Sequence, residues 1–292
     1  VQSVSASSMS AFEDLYFQTD DGLSLYVRDY SGPSVSAPVV MCLHGLTRNS
    51  RDFQDLAPDL AAHFRVLVPE QRGRGLSQYD NDSSRYTIIH YVHDMHCLLK
   101  SLEIERLGVI GTSMGGLITF ALNALYPGLI SRAVINDIGP EIGTAGLERI
   151  KSYVGSAGPF DNWESATAYI KSMTVEIFPL WDDEQWAYFA RQSYVERKGK
   201  IVIDYDPRIV EPLKEEGADT ESDTLWSMFD ALETVPTLIV RGDRTDLLSE
   251  DCVSKMCQRR KQCTVLSVPD VGHAPMLNEP GVSSAIQSFL TD

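Results

Sequence analysis

The stretch Gly111-Thr112-Ser113-Met114-Gly115-Gly116 is the most informative part of this sequence. It follows the apolar run LGVIG, which is typical of a buried strand, and it opens a segment with the apolar spacing of a helix. The pattern G-x-S-x-G at such a junction is typical of a sharp strand-to-helix turn, which needs small residues on both sides of the serine. We therefore predict that the Ser113 hydroxyl projects from the C-terminal end of its strand and that the backbone N–H of Met114 faces a developing oxyanion.

Strand and helix patterns alternate on both sides of this turn. The runs VVMCL, RVLVPE, LGVIG, AVIND, TLIV and CTVLSV have strand character, and helical spacing occurs near 50–63, 87–102, 115–126, 249–260 and 279–290. Two further strand-like stretches flank Asp20-Asp21-Gly22, which is typical of a hairpin. This alternation predicts an α/β fold, in which a parallel sheet carries helices on both faces.

Composition narrows the possible partners. The 292 residues include 25 Lys plus Arg against 41 Asp plus Glu, a formal net charge of −16, so nucleic acid and anionic membrane surfaces are not expected as partners. No run reaches the roughly 18 apolar residues of a membrane span, and the first residues lack the features of a secretory signal. The odd number of cysteines, 5, suits a reducing compartment. These features predict a cytoplasmic protein whose partner is a small-molecule substrate, with the oligomeric state left open.

The segment 141–230 interrupts the alternation with helix-like pieces rich in aromatic residues, including all 4 Trp. We predict a helical cap there, a core domain formed by 12–140 and 231–292, and a flexible extension over 1–11. A cap above the strand ends would line a pocket with apolar surface, which favours a substrate with an apolar portion. The candidate pocket residues in this segment are Tyr153, Trp163, Phe178, Trp181 and Trp186.

Three other motifs accompany the G-x-S-x-G turn. They are His44-Gly45-Leu46, the stretch PEQRGRGLS from Pro69 to Ser77, and Gly272-His273-Ala274-Pro275. With these motifs in this order, the chain resembles the α/β-hydrolase superfamily over about residues 20–292. The resemblance implies a mostly parallel sheet of about eight strands, with the helical cap inserted after the sixth.

The same resemblance implies roles for individual residues. His273 would take the proton of Ser113 and later return it to the leaving group. The N–H of Leu46 would join that of Met114 in an oxyanion hole. His44 is expected to turn the chain beside that hole, at the edge of the pocket.

The carboxylate partner of His273 has two candidates. Asp246 follows the strand TLIV at the usual position of the family and is the preferred one, whereas the nearby Asp243 is expected to be structural. Asp137, in the stretch NDIGP after AVIND, is the alternative, because some family members take the acid from that loop. Only one carboxylate can hold the Nδ1 proton and thereby select the tautomer of the ring.

The predicted reaction is acyl transfer to water through an acyl-Ser113 intermediate, without a metal or other cofactor. Carboxylic esters and lactones are the first expected substrates, and compounds with a hydrolysable amide or carbon–carbon bond are the second. A function of a different class is a ligand-binding receptor on the same scaffold that turns its ligand over slowly. Ser113 argues against haloalkane dehalogenases and epoxide hydrolases, which resemble this chain but have Asp at the turn. The cluster His90, His93, Asp94 and His96 falls in a predicted helix and is expected to have solvated or capping roles rather than to bind a metal.

Overall fold

The computed structural model describes residues 12–214 and 222–292. The strands, in chain order, are β1 (Glu13–Gln18), β2 (Ser24–Tyr30), β3 (Val39–Leu43), β4 (Arg65–Pro69), β5 (Leu107–Thr112), β6 (Ile130–Asn136), β7 (Tyr194–Arg197), β8 (Lys200–Ile203), β9 (Thr237–Gly242) and β10 (Cys263–Val268). All except β7 and β8 belong to one eight-stranded sheet of order β1-β2-β4-β3-β5-β6-β9-β10. Pairing is parallel from β4 to β10 and antiparallel at β1-β2 and β2-β4, which confirms the predicted fold class.

Helices lie on both faces of this sheet and in the segment between β6 and β9. They are α1 (Leu56–Leu60), α2 (Ile88–Ser101), α3 (Met114–Leu125), α4 (Thr144–Tyr153), α5 (Trp163–Thr174), α6 (Asp183–Ser193), α7 (Glu211–Lys214), α8 (Ser222–Asp230), α9 (Glu250–Gln258) and α10 (Val282–Thr291). Successive strand residues face opposite layers: in β3, Met41 packs with residues of α2, α3, α8 and α9, whereas Cys42 packs with residues of α1 and α10. Two buried apolar layers therefore sandwich the sheet.

The region predicted as one helix over 50–63 is divided into a 3₁₀ turn, Ser50–Phe53, and the short α1. The Asn49 side chain accepts a hydrogen bond from the Arg51 N–H and caps the 3₁₀ turn. The buried carboxylate of Glu70, just after β4, accepts hydrogen bonds from both the backbone N–H and the hydroxyl of Ser50. These contacts hold the turn against the end of β4, so the helical spacing does not continue as one regular helix.

The segment between β6 and β9 contains α4–α8, but it also contains the hairpin β7-β8, which the helical prediction missed. Lys198 and Gly199 form the turn with φ of 52° and 73°, a pair of left-handed residues that is typical of a tight hairpin. The four residues of YVER then pair in antiparallel register with the four residues of KIVI. The described part of the inserted segment is therefore mixed rather than purely helical.

Two further sequence predictions concern the cysteines and the first residues of the chain. Cys257, at the end of α9, is joined to Cys263, at the start of β10, by a disulfide that the expectation of a reducing compartment does not anticipate. The extension predicted over 1–11 lies outside the described residues. Among the residues that are described, no helix combines the length and the apolar character that crossing a membrane requires.

Candidate active site

Ser113 occupies the sharp turn between β5 and α3, with φ 52° and ψ −117°. A side chain at Gly111 would place its Cβ 2.4 Å from the backbone oxygen of Gly115, and a Cβ at Gly115 would lie 2.2 Å from the backbone oxygen of Leu43. Strand and helix thus approach each other too closely for any residue except glycine at these two positions. The close approach forces Ser113 into a strained backbone conformation and exposes its hydroxyl at the end of the strand.

The turn leads to a stability prediction with a control in the same strand. We expect Gly111→Ala to lower the free energy of unfolding by about 3 kcal/mol, because the new methyl group would collide with backbone that cannot rotate away. Gly108→Ala adds a methyl group whose nearest neighbours, Leu290 and Val40 side-chain carbons, are 3.4 Å away, so it should change stability by less than about 1 kcal/mol. Urea denaturation of both variants measures the difference. Equal stability of the two variants would show that the turn tolerates a side chain.

A continuous chain of hydrogen bonds runs from Ser113 to a buried carboxylate. The Ser113 Oγ lies 2.8 Å from His273 Nε2, and His273 Nδ1 lies 2.8 Å from Asp137 Oδ2. Because an ionised carboxylate only accepts hydrogen bonds, Nδ1 donates to Asp137 and Nε2 is left to accept from the Ser113 hydroxyl. The His273 side chain is 8% exposed and Asp137 is fully buried. This arrangement has the geometry needed to activate a serine hydroxyl.

Asp137 is held in place by the turn that follows β9. Its Oδ1 accepts from the Gly242 N–H at 2.9 Å, and its Oδ2 accepts from the Thr245 hydroxyl at 2.6 Å in addition to His273. Asp137 itself has φ 58°, in the left-handed region. Three donors and a constrained backbone thus orient a fully buried carboxylate toward the imidazole.

The structure corrects the preference for Asp246 as the partner of His273. The Asp246 carboxylate binds Arg149 of α4 through two hydrogen bonds, of 2.7 Å from Nε and 2.8 Å from Nη2. These hydrogen bonds from Arg149 lower the pKa of Asp246. Since β6 and β9 are neighbouring parallel strands, both acids lie at the same edge of the sheet, but the turn after β9 directs Asp246 toward the inserted segment. The alternative, Asp137, occupies the position beside His273.

The loop predicted to complete an oxyanion hole lies against the nucleophile. A Cβ placed on Gly45 would be 3.7 Å from Ser113 Cβ, and Leu46 follows directly. The Leu46 carbonyl accepts a 2.9 Å hydrogen bond from Nε of Arg74, whose side chain is buried. Met114 begins α3, so its N–H belongs to the first helical turn, where backbone N–H groups lack helical partners. Both predicted donors therefore belong to backbone segments next to Ser113.

His44 is completely buried at this turn. Its Nδ1 bonds to the Gly45 carbonyl at 2.8 Å, and its Nε2 accepts from the Gln71 N–H at 3.1 Å. Burial lowers the pKa of His44 to about 3, which keeps the ring neutral. The ring thus braces the turn that carries Gly45 and Leu46, and it does not belong to the residues that line the two cavities at Ser113.

Two cavities meet at Ser113. The first, which we call the His273 cavity, has a volume of about 150 Å³ and is lined by His273, by the residues that follow it to Leu277, and by Arg48. Of the aromatic pocket candidates, Tyr153 and Phe178 line it. The second, the Met114 groove, has a volume of about 820 Å³; it is lined by Met114 and shares Ser113 and Leu46 with the first cavity.

The tryptophan candidates lie elsewhere. Trp181 stacks on Phe178 with ring centroids 3.7 Å apart, and Trp186 is 1% exposed with its ring edge-on to both. Trp163 packs under the Arg191 guanidinium. None of these three Trp residues is among the described lining residues of either cavity, so the prediction that they line the pocket is wrong in this structure. Trp186 is instead buried, and Trp163 and Trp181 are partly buried against the same apolar cluster.

The histidine-rich helix α2 makes structural contacts. Asp94 forms a buried ion pair with Arg72, the His90 ring bonds to the Thr87 hydroxyl, and the His96 ring stacks on Tyr126. Over 12–214 and 222–292, no group of three or more His, Cys, Asp or Glu side chains is arranged to hold a metal ion.

Comparison with known proteins identifies the family. The family model for the alpha/beta hydrolase fold matches residues 38–280, most of the chain. This chain belongs to the α/β-hydrolase family. Among solved structures, an α/β hydrolase from Novosphingobium aromaticivorans superposes on this hydrolase with a TM-score of 0.92 and 43% sequence identity, covering 97% of this chain and 99% of the other.

Two curated relatives of this α/β hydrolase have named activities. It is 34% identical over 267 residues to a 3-hydroxybutyrate-oligomer hydrolase from Cupriavidus necator, covering 89% of this chain and 90% of the relative. It is 26% identical over 263 residues to a 2-(acetamidomethylene)succinate hydrolase from Mesorhizobium japonicum, covering 87% and 88%. The chain is thus a hydrolase, and the names of these two relatives give different substrates.

Several residues that support the site were missed by the sequence interpretation. The Thr245 hydroxyl donates a hydrogen bond to Asp137, and the Arg74 guanidinium donates one to the Leu46 carbonyl of the oxyanion loop. Both residues lie in stretches that the sequence indicates as functional, but their own roles are not predicted from it. Asn136 donates to the Thr112 hydroxyl at 3.1 Å and to the Pro275 carbonyl at 2.8 Å, and so ties the strand before Ser113 to the loop after His273. Its position at the end of β6, directly before Asp137, is the signal that the sequence offers.

Proposed function

We propose that this α/β hydrolase is a serine esterase that cleaves carboxylic esters through an acyl-Ser113 intermediate. The observation that carries the proposal is the chain of two 2.8 Å hydrogen bonds linking Ser113, His273 and Asp137. The 3-hydroxybutyrate-oligomer hydrolase among its relatives supports esters of hydroxy acids as the first substrates to test. Lactones, which are internal esters of hydroxy acids, belong to the same reaction class.

In the acylation step, Ser113 Oγ attacks the ester carbonyl while its proton passes to His273 Nε2. The N–H groups of Leu46 and Met114 stabilise the resulting oxyanion. The intermediate collapses by breaking the bond to the alcohol oxygen, which takes the proton from His273 and leaves. Asp137 remains ionised throughout, holds the imidazole in the required tautomer and stabilises the imidazolium.

Deacylation repeats these steps with water as the nucleophile. His273 accepts a proton from water as the water oxygen attacks the acyl carbon, and the oxyanion forms again beside the same two N–H groups. Collapse breaks the bond to Ser113 Oγ, which recovers its proton from His273. The products are the free acid and the alcohol, and the enzyme returns to its starting state without any other reactant.

The relative named 2-(acetamidomethylene)succinate hydrolase supports a second candidate, the hydrolysis of an amide-like bond. The same residues would perform it, but the leaving nitrogen needs the proton of His273 more strongly than an alkoxide does. A comparison of matched ester and amide substrates therefore distinguishes the two candidates.

We expect multiple turnovers of p-nitrophenyl butyrate, of linear 3-hydroxybutyrate dimers and trimers, and of a γ-lactone, whereas p-nitrobutyranilide should react at least about 10³-fold more slowly. The measurement is product released per enzyme over time, with a burst analysis of the first turnover. Release of one equivalent followed by arrest would favour the receptor-like alternative. Faster cleavage of the anilide than of the ester would favour the amide hydrolase.

A further inference from the structure

The two cavities at Ser113 differ in size and in their position relative to His273. The His273 cavity, of about 150 Å³, contains His273 in its wall. The Met114 groove, of about 820 Å³, includes Ser113, Leu46 and Met114 in its wall but not His273. A substrate bound at Ser113 therefore meets a compact compartment whose wall contains His273 and a much larger one whose wall does not.

The wall of the Met114 groove is mainly aliphatic. Apolar side chains from the core and from the inserted segment contribute to it, among them Leu117, Ile138, Leu147, Leu225 and Leu247. Of these, Ile138, Leu225 and Leu247 are 2%, 4% and 2% exposed, so their positions are set by the packed core. At its outer end the groove reaches Ile89 and Leu125, which are 45% and 46% exposed. An extended apolar chain can thus run from Ser113 toward the surface along this wall.

The chemistry of the proposed reaction orients the substrate between the two compartments. The leaving oxygen must receive a proton from His273 Nε2, so the alcohol part has to lie on the side that His273 lines. The carbonyl oxygen must point to the N–H groups of Leu46 and Met114. The acyl chain, on the remaining side of the carbonyl carbon, is then directed away from His273 and toward the groove that begins at Met114.

We propose that the Met114 groove binds the acyl chain of the substrate and that the His273 cavity admits only a compact leaving group. This inference rests on the proposed esterase function and defines the substrate as an extended, predominantly apolar acyl group esterified to a small alcohol. A fatty-acyl ester and an oligomer of short hydroxyacyl units both have this chemistry. In an oligomer, the units on the acyl side occupy the groove and one hydroxy acid leaves from the small cavity.

Two homologous series of substrates test the orientation. For p-nitrophenyl esters from acetate to decanoate, we expect kcat/KM to rise by up to about fourfold for each added methylene until the groove is filled. For alkyl butyrates from ethyl to octyl, we expect no such rise and a fall once the alcohol exceeds the small cavity. The p-nitrophenyl ester of a 3-hydroxybutyrate trimer, compared with the decanoate, distinguishes the hydroxyacyl source from the fatty-acyl source.

Substitutions in each compartment should affect one series only. Leu117→Trp narrows the groove one helical turn beyond Met114 and should lower the decanoate-to-acetate ratio of kcat/KM by about tenfold or more. Met173→Trp, in the wall of the His273 cavity, should leave that ratio as in the wild type and lower the octyl-to-ethyl ratio among the butyrates. Leu180→Trp is the matched control, because Leu180 is 73% exposed and belongs to neither wall, so both ratios should remain unchanged.

Ala124→Phe, farther along the groove, repeats the test if Leu117→Trp does not fold. The proposal would be overturned if neither groove variant lowers the decanoate-to-acetate ratio of kcat/KM. It would also be overturned if the groove variants lower the octyl-to-ethyl ratio among the alkyl butyrates. If the wild type turns over no ester, the esterase function itself fails.

The groove is then tested by calorimetry of decanoate binding to Ser113→Ala protein with and without Leu117→Trp. A Kd that Leu117→Trp raises about tenfold supports the groove as the acyl site, and an unchanged Kd contradicts it.

Discussion

Replacing Ser113 with alanine is expected to lower kcat for every ester by about 10⁶-fold, the largest effect of any single substitution in this protein. The variant retains His273 and the two backbone N–H groups, but it has no oxygen that can form the acyl-enzyme. Ser113 is half-buried, and the hydrogen bond observed for its Oγ is the one to His273. Removal of this oxygen should therefore leave the fold intact. Circular dichroism and the unfolding midpoint check the fold, and steady-state kinetics with p-nitrophenyl butyrate check the activity.

A fluorophosphonate provides a direct measure of the same group. It should add one phosphonyl group to the wild type at Ser113, as located by peptide mass spectrometry, and none to Ser113→Ala. Ser254→Ala is a suitable control, because Ser254 is an exposed serine of α9 whose hydroxyl bonds only to the backbone oxygen of Glu250. A Ser113→Ala protein that keeps more than about a tenth of the wild-type kcat would exclude the acyl-serine mechanism.

The second large effect is expected from Asp137→Asn, which should lower kcat by about 10⁴-fold. The amide preserves the size of the side chain, but its NH₂ group can face His273 Nδ1 and stabilise the tautomer in which Nε2 carries the proton. In that tautomer Nε2 cannot accept the proton of Ser113. Because Asp137 also accepts from Gly242 and Thr245, the variant should be assayed for stability alongside kinetics.

Asp246→Asn is the matched comparison, since Asp246 lies in the same region but binds Arg149. We expect less than about a tenfold change in kcat, because the hydrogen bonds of His273 remain in place. Arg149 lowers the pKa of Asp246 in the folded state, so this carboxylate stabilises the protein above its unfolded-state pKa, and the contribution disappears as the pH falls through the folded-state value. The stability difference between wild type and Asp246→Asn should therefore shrink in acid. A loss of several hundredfold in kcat for Asp246→Asn, with Asp137→Asn nearly active, would reverse the assignment.

The turn that carries Ser113 and the strands of the sheet could be predicted from the sequence, because each of them leaves a pattern over a few neighbouring residues. Each strand of the core is a short apolar run, and each buried strand or helix in an α/β fold leaves such a pattern over a few residues. The hairpin β7-β8 was missed because aromatic residues before and after it suggested helices, although the left-handed Lys198-Gly199 turn was its signal. Local patterns of this kind are weakest in short strands that pair only with each other.

Gly111 and Gly115 could be assigned from the sequence alone, because close packing between one strand and the next helix requires glycine there, and Ser113 completes the local G-x-S-x-G pattern. The choice between Asp137 and Asp246 could not, because neighbouring parallel strands bring both acids to the same edge of the sheet. Only the tertiary structure decides it: the Thr245 hydroxyl and the Gly242 N–H orient Asp137 toward His273, whereas Arg149 from a distant helix binds Asp246. Side-chain direction at such an edge depends on partners far away in the chain, and no local spacing encodes it.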